Sequence, residues 1–214
     1  MNLKFQLEDL DLAALISSRI CHDVISPVGA ISNGLEVLDE EHDEEVRDYA
    51  MDLIRRSAEQ ASAKLQFARL AFGAGGSAGT EIGMNTVQPI ANGIVDPDKH
   101  KVIWETSLSS LFKNHVKLLL NCVAIALTTL PRGGTIEIDV SGTKERPSMT
   151  VVCDGQGARV PKSFIDINSS SSSKLLDTQS IQAYYAMRLA RESNMKIDIF
   201  EQGGSIFLKL ESTL

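Results

Sequence analysis

Near the N-terminus, apolar and small residues recur in alternating steps of four and three. Leu10, Ala14, Ser17, Cys21, Val24, Val28, Ile31, Leu35 and Leu38 make up the series, which is the inward seam of a helix that packs against another helix. It predicts a helix from about Glu8 to Leu38. Asp39-Glu40-Glu41-His42-Asp43 is too polar for a core and reads as a connector. A second series, Ile54, Ala58, Ala61, Leu65, Ala68 and Phe72, repeats the step and predicts a helix from about Glu44 to Phe72. Its alanines permit close helix approach. The short connector makes the two helices antiparallel neighbours. Two helices alone cannot bury two such seams, so a homodimer that closes a four-helix bundle is expected.

Beyond Phe72 the pattern changes. Gly73-Ala-Gly-Gly-Ser-Ala-Gly79 is a glycine-rich connector and the best domain boundary in the chain. It divides a helical hairpin, residues 1–75, from a second domain, residues 80–214. In that second part Lys101–Thr106 reads as a short strand, and Ser110–Leu130 as a buried helix stopped by Pro131 and the Gly133-Gly134 turn. Thr135–Val140 alternates Ile136, Ile138 and Val140 inward, with Met149–Cys153 as its partner strand. Ser169–Ser173 reads as a loose loop, Asp177–Glu192 as a helix, and Met195–Phe200 with Ser205–Leu210 as a hairpin around Gly203-Gly204. The fold class is α+β: a helical hairpin that forms a four-helix bundle by dimerisation, followed by a sheet backed by helices.

Composition narrows the chemistry. A net charge of −7 with scattered basic residues argues against nucleic acid as partner, and 5% aromatics argue against a base-stacking platform. The longest apolar run, Val116–Leu130, is interrupted by Lys117 and Asn121 and is too short to span a bilayer, so no membrane association is expected. The N-terminal stretch does not resemble a signal peptide. Cys21, Cys122 and Cys153 are odd in number and widely spaced. They read as reduced thiols of a cytoplasmic protein, not as metal ligands.

The chemistry concentrates in Cys21-His22-Asp23-Val24-Ile25-Ser26-Pro27. His22 stands one residue past the seam, about 100° round the helix, which aims it at water or a docking protein. An exposed imidazole on a rigid helix, with an acid beside it, suits reversible phosphoryl transfer as the nucleophile. Asp23 takes the proton of the other ring nitrogen or orients the ring. Ser26, one turn on, can hydrogen-bond at the transfer site. Pro27 removes the donor to the Asp23 carbonyl and bends the helix locally. Arg19 shares the face of His22 and can meet a phosphoryl oxygen or a partner carboxylate. Ile25 offers an apolar contact to a partner, and Arg159 a reach from the second domain. Asp23, Ser26 and Arg19 each also have a plain reading as helix surface. His42, His100 and His115 lack this context and read as ordinary.

A histidine in the first helix of a hairpin, followed by an α/β domain, resembles the sensor histidine kinases. His22-Asp23-x-x-Ser26-Pro27 is similar to their histidine box, Asn121 in Leu118–Ala126 to their asparagine box, and Asp154-Gly-Gln-Gly157 to their first glycine box. The second glycine-rich box is missing: Ser169–Ser173 and Leu175–Tyr185 contain no glycine. Thr128 and Thr129 stand where more polar neighbours would help a nucleotide site. The combination resembles the dimeric histidine phosphotransferases of alphaproteobacterial phosphorelays, the ChpT-like family. That resemblance implies a phosphoryl relay between receiver-domain aspartates through phospho-His22. The donor would be the receiver domain of a hybrid histidine kinase, and the acceptors would be response-regulator receiver domains. It further implies no cofactor of the chain's own, Mg2+ supplied by the receiver, and no use of ATP. The alternatives are an ATP-dependent sensor-type kinase core and an adaptor that only sequesters receivers.

Overall fold

A computed structural model describes residues 6–73, 79–169 and 176–213. The glycine connector, with the boundary placed in it, and the serine run fall largely on 74–78 and 170–175, outside the described residues. Two long helices open the chain, α1 (Asp9–Glu40) and α2 (Glu44–Ala71). Asp43 caps α2: its carboxylate accepts from the backbone N–H groups of Glu45 at 2.9 Å and Val46 at 3.3 Å, two donors the helix cannot satisfy itself. The Arg47 guanidinium does the converse at the end of α1, donating to the carbonyls of Leu38 and Glu41. Close approach of the pair depends on Gly34, where an added Cβ would lie 2.7 Å from Ile54 Cγ1 and 3.3 Å from the Ala50 carbonyl.

The remainder runs β1 (Glu81–Gly83), α3 (Met84–Asn92), β2 (His100–Thr106), β3 (Ser110–Phe112), α4 (Lys113–Thr129), β4 (Gly134–Gly142), β5 (Pro147–Asp154), α5 (Lys162–Ser169), α6 (Ile181–Glu192), β6 (Met195–Gln202) and β7 (Ser205–Ser212). The main sheet has the order β2-β4-β5-β7-β6, with only β2 and β4 parallel; β1 and β3 form a separate antiparallel pair. Alternation on the strands buries Ile136, Ile138, Val140, Met149, Val151, Cys153, Ile206, Leu208 and Leu210 on one face. α4 and α6 pack on the sheet. Burial pushes the Cys153 thiol up to about 11 and that of Cys122 higher still, so both sit as neutral apolar side chains.

The hairpin joins this core directly. Leu7, Leu12, Phe67 and Ala71 belong to the same buried cluster as the sheet and its helices. The Leu7 N–H donates to the Tyr184 hydroxyl at 2.7 Å within the buried interior. Arg188 links Asp9 at 2.8 Å and Glu192 at 3.0 Å. Replacing Tyr184 by phenylalanine leaves the Leu7 N–H buried without that acceptor, at a cost of about 1–3 kcal/mol. The expected result is a lower urea midpoint with unchanged far-ultraviolet circular dichroism.

The seam drawn from the sequence needs correction. Leu10, Ala14, Ser17, Cys21, Val28 and Leu35 lie on the outside of the chain, and Leu10 is 85% exposed. α1 turns Leu12, Pro27 and Gly34 inward instead. The period was legible, but the apolar stripe it marks faces away from the protein's own core. α4 begins three residues later than expected, because Ser110–Phe112 pairs as β3, and α6 begins at Ile181 rather than Asp177.

Candidate functional site

His22 projects from the middle of α1 with its side chain 68% exposed. Its Nδ1 lies 3.4 Å from Asp23 Oδ1, the long end of hydrogen-bond range. The other carboxylate oxygen, Oδ2, accepts from Arg19 Nε at 2.9 Å. Arg19 also donates through Nη1 to the Thr178 carbonyl at 3.3 Å, across to the segment that leads into α6. With a proton on Nδ1 directed at Asp23, the lone pair of Nε2 points away from the carboxylate and is free to attack.

Beside the imidazole is a cleft of about 610 Å³, walled by α1, α4, residues 159–165 and the start of α6. Arg19 and His22 line it from the hairpin; Thr128, Arg159, Lys162, Gln179 and Gln182 line it from the other side. Among the described residues no carboxylate lines this cleft, in a chain whose net charge is −7. Among the described residues the side chains of Arg159 and Lys162 have no hydrogen-bond or ion-pair partner; Arg159 is held only through its backbone N–H, which donates to the Thr129 carbonyl at 3.1 Å. A smaller cavity of about 220 Å³ lies on the other flank of the Arg19–Asp23 pair, between the hairpin and α4.

The residues singled out from sequence therefore divide. His22, Asp23, Arg19 and Arg159 converge on one region. Ile25, 70% exposed, and Ser26 are open to solvent on α1. Pro27 is buried, which corrects its expected place on a partner-contacting surface. α1 stays helical through it. Asn121 is fully buried: its Nδ2 donates to the carbonyls of Lys117 at 2.8 Å and Ala71 at 3.3 Å, tying α4 to the end of α2. Asp154 is exposed at the end of β5. Lys162, Thr178 and Gln182 were not anticipated. Only the adjacency of Lys162 to Arg159 hinted at one of them; the rest depends on topology.

Among the described residues no three His, Cys, Asp or Glu side chains are grouped to hold a metal ion, and no helix is long and apolar enough to cross a membrane. Residues 84–205 match the family described as histidine phosphotransferase C-terminal domain. The protein phosphotransferase ChpT of Brucella abortus (strain 2308) is 43% identical over 212 residues, covering 99% of this chain and 100% of that protein. A solved bacterial phosphotransferase structure shares 40% identity with a TM-score of 0.89, covering 98% of this chain and 100% of that one.

Proposed function

The chain belongs to the histidine phosphotransferase family, and on that premise we propose that His22 is the phosphoryl carrier between receiver-domain aspartates of a bacterial phosphorelay. The observation that carries this reading is an exposed imidazole whose Nδ1 faces Asp23, standing at the rim of a cleft lined by Arg19, Arg159 and Lys162. In the forward step, Nε2 attacks the phosphorus of a receiver's aspartyl phosphate. The P–N bond forms as the P–O bond breaks, and the receiver's carboxylate leaves with the electron pair. The Nδ1 proton remains directed at Asp23, which offsets the positive charge that builds on the ring. Transfer to the next receiver reverses each event. Phosphoryl transfer requires alignment and charge neutralisation more than covalent help.

The donor is the receiver domain of a hybrid histidine kinase and the acceptors are response-regulator receivers. A receiver's phosphorylation site is acidic, and the cleft with Arg159 and Lys162 complements it. Ile25 and Ser26 extend that contact along α1. The Mg2+ that neutralises the phosphoryl oxygens comes with the receiver. ATP has no part in this reading: Asn121, which the kinase resemblance sets against nucleotide, is fully buried between α4 and the end of α2. The protein acts in the cytoplasm as a homodimer joined through the exposed stripe of α1.

The test is to incubate the purified chain with a phosphorylated receiver and Mg2+. Acid-labile, alkali-stable label on His22 is expected, and its absence refutes the proposal. In a parallel arm with ATP alone, label on the chain would favour a kinase. Charge reversal at Arg159→Glu or Lys162→Glu is expected to slow association with the receiver by roughly tenfold at low salt. That difference should shrink as salt is raised, when stopped-flow association is followed from low to physiological ionic strength.

A further inference from the structure

We propose that Arg19 is a positioning residue, through which docking of the α/β part sets the orientation of the nucleophile; this rests on the phospho-His22 reading. The sequence placed Arg19 among contacts to phosphate or partner, yet in the fold its guanidinium is already engaged. One donor meets Asp23 Oδ2 at 2.9 Å and another meets the Thr178 carbonyl at 3.3 Å, 159 residues away in sequence. Asp23 then faces His22 with its second oxygen. The result is a chain of polar contacts from the start of α6, through Arg19 and Asp23, to the Nδ1 edge of the imidazole.

Packing alone does not fix this chain: the Arg19 and Asp23 side chains are 22% and 36% exposed. Arg19 borders both cavities, the 610 Å³ cleft and the 220 Å³ cavity behind it, and Asp23 borders the smaller one. With open volume beside it and its side chain 36% exposed, the carboxylate has room for other rotamers. Its rotamer is set by the guanidinium, and the guanidinium by the fork of donors that reaches the Thr178 carbonyl. A lysine presents a single ammonium and cannot span both acceptors in the same plane. The α/β part, which keeps a kinase-like layout in sequence, thereby acts on the histidine as a scaffold.

A positioning residue and a contact residue separate in kinetics. Arg19→Ala is expected to lower kcat for transfer to His22 by on the order of tenfold or more, because a small misplacement of reacting groups is costly, and to leave KM for the receiver unchanged. Arg19→Lys should fall between. In an Asp23→Ala background the further change Arg19→Ala should have almost no effect, since the two act as one unit. An equal loss in both backgrounds, or a change confined to KM, overturns the proposal and makes Arg19 a partner contact. A second readout needs no receiver and no transfer. The ring nitrogen chemical shifts of His22 should report mainly the Nδ1–H tautomer in the native protein and a shift toward Nε2–H in Arg19→Ala. An unchanged tautomer ratio sinks the relay even if His22 is phosphorylated. If His22 takes no label in the native protein, it is the carrier assignment that fails.

Discussion

His22→Ala abolishes phosphoryl transfer, with an expected loss of at least about 10⁴-fold in the labelling rate, the scale on which removal of a covalent nucleophile acts. The other histidines offer no substitute. His115 is 7% exposed, and the Nε2 of His100 lies 3.2 Å from the Leu130 carbonyl. His42 sits in the turn between α1 and α2, nearly six helical turns from His22, so a receiver docked over the cleft does not reach it. The fold should be untouched. The imidazole is largely in solvent, and substitutions at such positions usually change stability by within about 0.5 kcal/mol. Quenched time courses with a phosphorylated receiver give the rate, and a urea titration gives the stability. Label surviving on His22→Ala would move the nucleophile elsewhere, with exposed Cys21 the first candidate.

What could be read from the sequence follows the physics of each element. The long helices and β4, β5, β6 and β7 announce themselves because one face is buried over many residues, so the period repeats. β1, β3 and α5 do not. Each is short, and β1 and β3 exist through backbone pairing with each other. α3 carries only Met84, Val87 and Ala91 into the core, and a proline at position 89 masks it. The stripe of α1 shows a different limit. Spacing gives the angle between residues on a helix but not which neighbour fills which side. The helix here has three distinct sides: one packed on its own chain, one bearing His22, and one apolar side left open. The histidine motif is local and was legible. The cleft opposite it is assembled from residues more than a hundred positions away, and no short pattern encodes that meeting.

The open side carries the second large prediction. Val28 and Leu35, 47% and 50% exposed, lie two turns apart on the outer stripe of α1, and Leu10, at 85%, continues it toward the N-terminus. Apolar residues repeated along one exposed face signal a missing neighbour, and α2 adds Val46, Tyr49 and Leu53, also exposed, near the turn. In a homodimer each carboxylate introduced by Val28→Glu with Leu35→Glu would be buried twice, once per protomer, opposite apolar groups. Burying an unpaired charge costs several kcal/mol, so the dimer constant should weaken by at least about 10³-fold. Light scattering across a concentration series is expected to move from twice 23.3 kDa to 23.3 kDa. Ile165→Glu on α5, an exposed apolar position of comparable area, should leave the mass unchanged. Because these side chains lie outside the protein's own core, the monomer should keep its circular dichroism. It should also keep the label on His22, since Arg19, Asp23, Arg159 and Lys162 come from the same chain as the histidine they surround. A variant that is monomeric, folded and unable to accept phosphate would instead mean that the second protomer completes the site.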